Sequence, residues 1–231
     1  MTVDDGWLLD YYLSAKESLI ESGYAREIDG VDWLRRDLMS ESDFLREAAW
    51  VVLCSGFRAR VVARAFGAVS DAFLRWESAG AIAQQGDACV QAARHAFAND
   101  RKLRNIVRIA ERVAAIGADG IRSMDDATLL GFCAGLPGIG PITARHLARN
   151  VGANVAKPDR HLVRIAGICG FGDVDNLCSA VSRLSGDRVA VVDAVLWRNA
   201  VVSGYPDLVP AASATEVRRL DARIGRTVRL T

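Results

Sequence analysis

Leu136-Pro137-Gly138-Ile139-Gly140-Pro141-Ile142-Thr143-Ala144 is the stretch from which the organisation of this 231-residue chain can be read. Glycines at 138 and 140 free the backbone to turn tightly and expose its amides. Pro141 suits the first turn of a following helix, where its missing N–H costs nothing. Leu136 and Ile139 are the apolar side chains that would anchor such a turn in a core. The amides and the helix start then face outward as an anion site. A phosphate is the natural ligand, and a contact of that kind positions a polyanion without reading its sequence. Thr143, Arg145 and Arg149 lie on the following helix and extend the set of phosphate contacts.

Downstream of that helix comes Lys157-Pro158-Asp159-Arg160-His161. Pro158 fixes the approach of the chain, and Asp159 opens a third helix as one of the favoured N-cap residues. A helix start also favours the ionised carboxylate. A lone Gly-x-Gly turn is weak evidence, and an isolated Asp here is ordinarily a cap. Hairpin, helix and Pro-Asp start in that order form a far more specific composite.

On both sides the pattern is helical. Apolar residues recur at spacings of three and four, as in Leu103, Ile106, Val107, Ile109, Ala110 and Val113. Ala and Arg, both good helix formers, dominate the surface positions. Gly and Pro fall between periodic segments. The spacing predicts helices over 4–22, 30–38, 42–54, 58–66, 70–77, 86–98, 100–116, 125–134, 141–150, 159–169, 174–184, 187–202 and 213–223. Asp125 and Asp126 suit a helix's first turn. The β-branched run Val189 to Val195 continues into Leu196, Trp197 and Val201 and reads as a buried helix. No alternating run bounded by turn residues makes a strand, so the expected class is all-α.

Composition narrows the function. The chain is 51% hydrophobic, with no apolar run near the roughly 18 residues that cross a bilayer, so no membrane is expected as partner. Met1 to Asp10 carries acids and no basic n-region, unlike a secretory signal, and the expected location is cytoplasmic. Five cysteines lie far apart with no CxxC pair, which argues against a metal site and for small buried hydrophobes. The net charge of +1 hides an asymmetry: residues 1–47 hold 12 acids and 5 bases, and the remainder 16 acids and 24 bases. A basic body suits a polyanion partner. Lys16, Lys102 and Lys157 are the only lysines, which limits where a Schiff base can form.

The segment from roughly 125 to 170 resembles the helix-hairpin-helix, Gly/Pro-Asp superfamily of DNA glycosylases. LPGIGPITA is similar to that family's hairpin, and KPDRHLVRIAG to its loop, aspartate and helix. Asn105-Ile106-Val107-Arg108 resembles the family's helix before the hairpin, and Val191 to Asn199 its later core helix. The resemblance covers about 45 to 205. It implies two helical subdomains flanking a DNA-binding cleft, with 48–130 as the central subdomain and 131–231 carrying the hairpin and the aspartate. Residues 1–47 are then N-terminal helices packing with the C-terminal subdomain. It implies a monomer on double-stranded DNA, nucleoid-associated if the source is prokaryotic.

The resemblance also implies chemistry. Breaking an N-glycosidic bond builds positive charge on the deoxyribose, and a carboxylate beside C1′ stabilises it and orients water. Asp159 is the expected catalytic residue. Leu136, Gly138, Ile139, Gly140, Ile142, Thr143, Arg145 and Lys157 are the expected DNA contacts. Many family members carry a hairpin lysine as a Schiff-base nucleophile; the corresponding position here is Ile142. That departure implies a monofunctional enzyme, with Lys157 as a phosphate contact or a weak lyase amine. The family's iron–sulfur subgroup has a cysteine loop near its C-terminus, and this chain has no cysteine after Cys178, so no cofactor is expected.

The base must leave the stack to be reached. The family inserts a side chain from the loop after its first core helix, here Cys54-Ser55-Gly56-Phe57-Arg58. Phe57 is either a wedge or a core residue, and Arg58 binds phosphate or the orphan base. His161 supports the site or is a surface or core histidine. Arg101, Lys102, Arg104, Arg108 and Arg112 make a basic helix flank, either a DNA wall or a solvated face. Arg218, Arg219, Arg223, Arg226 and Arg229 make a basic C-terminus. His95 and His146 lack metal spacing, and the tryptophans at 7, 33, 50, 76 and 197 sit at core spacing. Alkylated, deaminated, mismatched or oxidised bases all fit the motif, as do hypermodified viral bases. The rival reading is a DNA-binding or scaffolding protein with a hairpin and no catalysis.

Overall fold

A computed structural model describes residues 2–28 and 35–204. The expected helix 213–223, the basic C-terminal arginines, Trp33 and most of the expected helix 30–38 lie outside the described residues. Every regular element among the described residues is helical, so the chain is all-α. None of these helices is long and apolar enough to cross a membrane.

The chain divides into two compact units, residues 34–153 and a discontinuous unit of 1–33 with 154–231. Against expected boundaries at 47/48 and 130/131, the compact units meet at 33/34 and 153/154. The reason is packing. The hairpin helices stay with the central helices, because the helix after the hairpin lies against both the helix before it and the first helix of the unit.

In the discontinuous unit, α1 (Asp5–Leu19) is capped by Asp4, whose Oδ1 accepts the Gly6 and Trp7 amides. A π-helical turn, Ile20–Tyr24, leads to the short α2 (Ala25–Ile28). Later come α10 (Arg160–Ile168), α11 (Val174–Ser185) and α12 (Val189–Ser203). Leu8, Tyr12, Ala15 and Leu19 repeat at one face of α1 and are buried with Leu162, Ile165, Leu177, Val181, Val192 and Val195. Truncating one such leucine to alanine typically costs about 2–5 kcal/mol. Asp187 ties the two ends of the chain together. It accepts the Tyr12 hydroxyl at 2.5 Å and the Lys16 ammonium at 2.8 and 3.0 Å.

In the contiguous unit, α3 (Glu41–Cys54) opens on a Ser40–Asp43 capping box and packs on α5 (Ala79–Gln84), α7 (Asp100–Arg122) and α9 (Pro141–Asn150). The other helices are α4 (Ala59–Ala72), α6 (Gly86–Ala93) and α8 (Asp126–Ala134). Three expectations change here. The segments 58–66 and 70–77 are replaced by the single α4, continuous through Gly67, and a tight turn in which Leu74, Arg75 and Trp76 all have positive φ. Trp76 rewards that turn by burying its ring against Phe66 and Phe73 and donating to Ser70 Oγ at 3.0 Å. Helix α5, capped by Ser78, lies in a stretch where the spacing predicts no helix. Helix α7 runs past 116 to Arg122, kinked at Gly117.

Candidate active site

The hairpin joins α8 to α9 within the contiguous unit. Leu136 and Ile139 are buried, 4% and 9% exposed, and the Ile139 N–H closes the turn on the Leu136 carbonyl at 3.2 Å. Gly138 has φ +78°, and a Cβ there would lie 2.3 Å from Nδ2 of Asn105 on α7. Only glycine fits both the backbone and that approach. Thr143 completes the cap of α9: its hydroxyl accepts the Gly140 N–H at 2.7 Å and donates to the Gly140 carbonyl at 2.9 Å. Among the described residues, no hydrogen bond takes up the amides of Gly138, Ile142 and Thr143. These three donors stand at or near the positive end of α9, where a helix start favours an anion. Ile142 is 50% exposed beside them. Arg145 is half-buried on the next turn.

The Asp159 element belongs to the other unit. Asp159 is the N-cap of α10, and its Oδ1 accepts the His161 and Leu162 amides at 2.9 and 3.1 Å. Such a cap contributes about 1 kcal/mol. It is half-buried, and among the described residues nothing donates to Oδ2. The Asp159 N–H donates to the Lys157 carbonyl at 2.8 Å, a three-residue turn around Pro158. His161 is half-buried and accepts from Arg160 Nε at 3.2 Å. Burial holds its imidazole below the ordinary histidine value; the Asp159 charge pulls the other way, and Arg160, Arg164 and Lys157 add to the lowering.

Two residues escaped the sequence reading. Asp193, on α12, is 1% exposed and accepts the Lys157 N–H at 2.5 Å. Asn154 Oδ1 accepts the Ala190 N–H at the start of α12, at 3.1 Å. The available signal was a carboxylate inside the apolar run Val191-Val192-Asp193-Ala194-Val195, a position that calls for a partner.

The α3–α4 loop presents Phe57 at 43% exposure, so it is not a core residue. Its ring leans on Phe97, centroids 5.2 Å apart. Arg58 is exposed at the N-cap of α4. The basic flank of α7 needs one correction. Arg101, Arg104, Arg108 and Arg112 are exposed, but Lys102 is buried, its ammonium donating to the Val52 and Ser55 carbonyls at the end of α3. Arg101 and Arg108 flank Asn105 at i−4 and i+3, so the exposed stripe runs past the hairpin tip.

Cys89, Cys133, Cys169 and Cys178 are buried and Cys54 is half-buried, none of them in a disulfide. Burial pushes Cys133 and Cys169 up to about 12, which makes them inert packing groups. His95 is exposed and His146 half-buried. No group of three His, Cys, Asp or Glu among the described residues is arranged to hold a metal.

No protein-family profile and no curated protein matches the chain. Solved structures do. The 8-oxoguanine DNA glycosylase of Thermotoga maritima is similar with a TM-score of 0.60 at 18% identity, over 87% of this chain and 98% of that one. The 8-oxoguanine glycosylase/lyase of Methanocaldococcus jannaschii, in complex with a 15mer DNA containing 8-oxoguanine, is similar with a TM-score of 0.61 at 20% identity, over 83% and 96%. The chain shares the fold of these two glycosylases over nearly their whole length.

Proposed function

We propose that this chain is a monofunctional DNA glycosylase. The hairpin amides grip a backbone phosphate of duplex DNA, and Asp159 promotes hydrolysis of the bond between deoxyribose and an extruded base, leaving an abasic site. Asp159 Oδ2 stabilises positive charge at C1′ in the transition state and orients the attacking water. The observation that carries this reading is the division of labour within one carboxylate. Oδ1 is spent on the α10 amides and fixes the group, while Oδ2 takes no hydrogen bond from the described residues. The shared fold supports it.

Ile142 supplies no amine at the exposed hairpin position. Lys16 is paired with Asp187 and Lys102 is buried against carbonyls, which leaves Lys157 as the one lysine near the aspartate in sequence. Water is therefore the nucleophile in this reading, and no cofactor enters. Oxidised guanine heads the substrate panel, because both structural neighbours are named for it. The same chemistry serves repair or the removal of hypermodified bases from viral DNA, and the base that is released separates these roles.

The rival, a non-catalytic binder, gains from the fact that Asp159 is a working cap. Asp159→Asn separates the two, because asparagine caps as well as aspartate and removes only the charge. Single-turnover excision on duplexes with 8-oxoguanine, alkylated purines, uracil and hypermodified pyrimidines, read after alkali, is expected to show cleavage by the native chain. The variant should lose it and keep its affinity for DNA. Equal activity in both proteins removes Asp159 from the chemistry.

A further inference from the structure

The stretch Asn154–Asp159 has no regular structure, yet it is fastened to α12 at two points. Asn154 takes the Ala190 N–H, and Asp193 takes the Lys157 N–H. Between them Ala156 is fully buried. Lys157 also receives the Asp159 N–H on its carbonyl. A chain of main-chain bonds thus runs from the Asp193 carboxylate, through Lys157, to the residue whose carboxylate caps α10.

A carboxylate at 1% exposure is costly to a fold unless strongly bonded. At this position of α12, with Ala190 and Leu196 buried three residues to either side, an apolar residue would pack without that cost. Among what a carboxylate adds is a short, charge-assisted bond to the Lys157 amide, two residues before Asp159. Groups that must stand within about 0.5 Å of a productive position need such support behind them.

We infer that Asp193 is the positioning residue of the candidate site: it holds the Lys157–Asp159 turn on α12 and so fixes where the Asp159 carboxylate stands. The inference rests on the proposed glycosylase reading for its functional consequence, and on the bonds alone for its structural one.

The test uses the full chain with Asp193→Ala, Asp193→Asn and Asp193→Leu, and with Val192→Ala as a control that weakens the same core without touching the loop. Two readouts are taken. One is amide hydrogen exchange over residues 155–163. The other is the single-turnover rate at saturating protein, beside affinity for a duplex with an abasic-site analogue. Asp193→Ala is expected to speed exchange at Lys157 and Asp159 and to slow excision about 100-fold, the scale of a 1 Å misplacement, with affinity unchanged. Asp193→Asn, which keeps an oxygen acceptor, should restore most of the rate. Val192→Ala should lower thermal stability and leave the rate alone. Should Asp193→Ala fail to fold, Asp193→Leu fills the core and carries the same expectation. Native excision in Asp193→Ala or Asp193→Leu, or an equal loss in Val192→Ala, overturns the inference. If the native chain excises nothing, the glycosylase reading falls separately. Unchanged exchange at Lys157 and Asp159 in Asp193→Leu then overturns the positioning claim.

Discussion

The Lys102 ammonium stands 5.5 Å from the centre of the Phe57 ring while donating to the Ser55 carbonyl at 2.7 Å. One buried cation therefore caps the end of α3, fixes the first residues of the loop and supports the ring from below. Burial holds Lys102 below the ordinary lysine range, with Cys54 opposing and Arg101 reinforcing the shift. Phe57→Ala is expected to slow excision from duplex DNA by about tenfold or more, the scale of one lost base–aromatic stack, and to spare a base already unpaired. Comparing single-turnover rates on duplex and single-stranded substrates checks it. Lys102→Met should lower stability by about 1–3 kcal/mol, because the buried Val52 carbonyl loses its donor, as read by thermal melting.

Borohydride in the presence of abasic DNA should trap no covalent adduct if the proposed reading holds, because exposed Ile142 carries no amine. A strong trapped band that disappears in Lys157→Ala would replace water by Lys157 as the nucleophile. Ile142→Lys is the informative gain-of-function variant: a trapped band there would show that the hairpin faces the sugar.

Log affinity for duplex DNA should fall linearly with log salt. Each arginine on a phosphate contributes about 0.9 to the slope. Arg101→Gln, Arg108→Gln and Arg112→Gln should each lower the slope by about that amount and weaken binding equally across sequences. Arg104, already paired with Asp87 at 3.0 Å, should change it less. A slope unchanged in the triple variant makes the stripe a solvated face, and a flat response in the native chain counts against DNA as the partner.

Acid should loosen the discontinuous unit through Asp187. Burial alone pushes this carboxyl up, but hydrogen bonds from Lys16 and Tyr12 and the Lys16 charge outweigh it and leave the group below the ordinary carboxylate value. A lowered folded value means that its contribution is complete above the unfolded pKa of about 3.9 and is lost as pH falls through the folded one. Lys16→Met should flatten the acid limb of a pH–stability curve, and an identical limb in both proteins would locate the acid sensitivity elsewhere.

Much of this was legible because the signals were local. A 3.6-residue period declares a helix wherever one face is buried, and the hairpin and the Asp159 cap are written in adjacent residues. The failures were tertiary. Gly80 and Gly67 lie inside helices because neighbouring packing outweighs a propensity cost of about 1 kcal/mol each. Lys102 stands four and seven residues before buried Ile106 and Ile109, on the apolar face rather than with the exposed arginines, but its partners at the end of α3 cannot be read from the string. Asp193 reads as an anomaly in an apolar run, and nothing in the string names Lys157, thirty-six residues earlier, as its partner.

Residues 34–153 are one uninterrupted piece, whereas the unit bearing Asp159 is assembled from both ends of the chain. During synthesis the hairpin can therefore mature while α1 still waits for α10 to α12. The carboxylate gains its final support only when α12 has left the ribosome, so in the proposed reading a nascent chain acquires its anion site before it acquires the means to release a base.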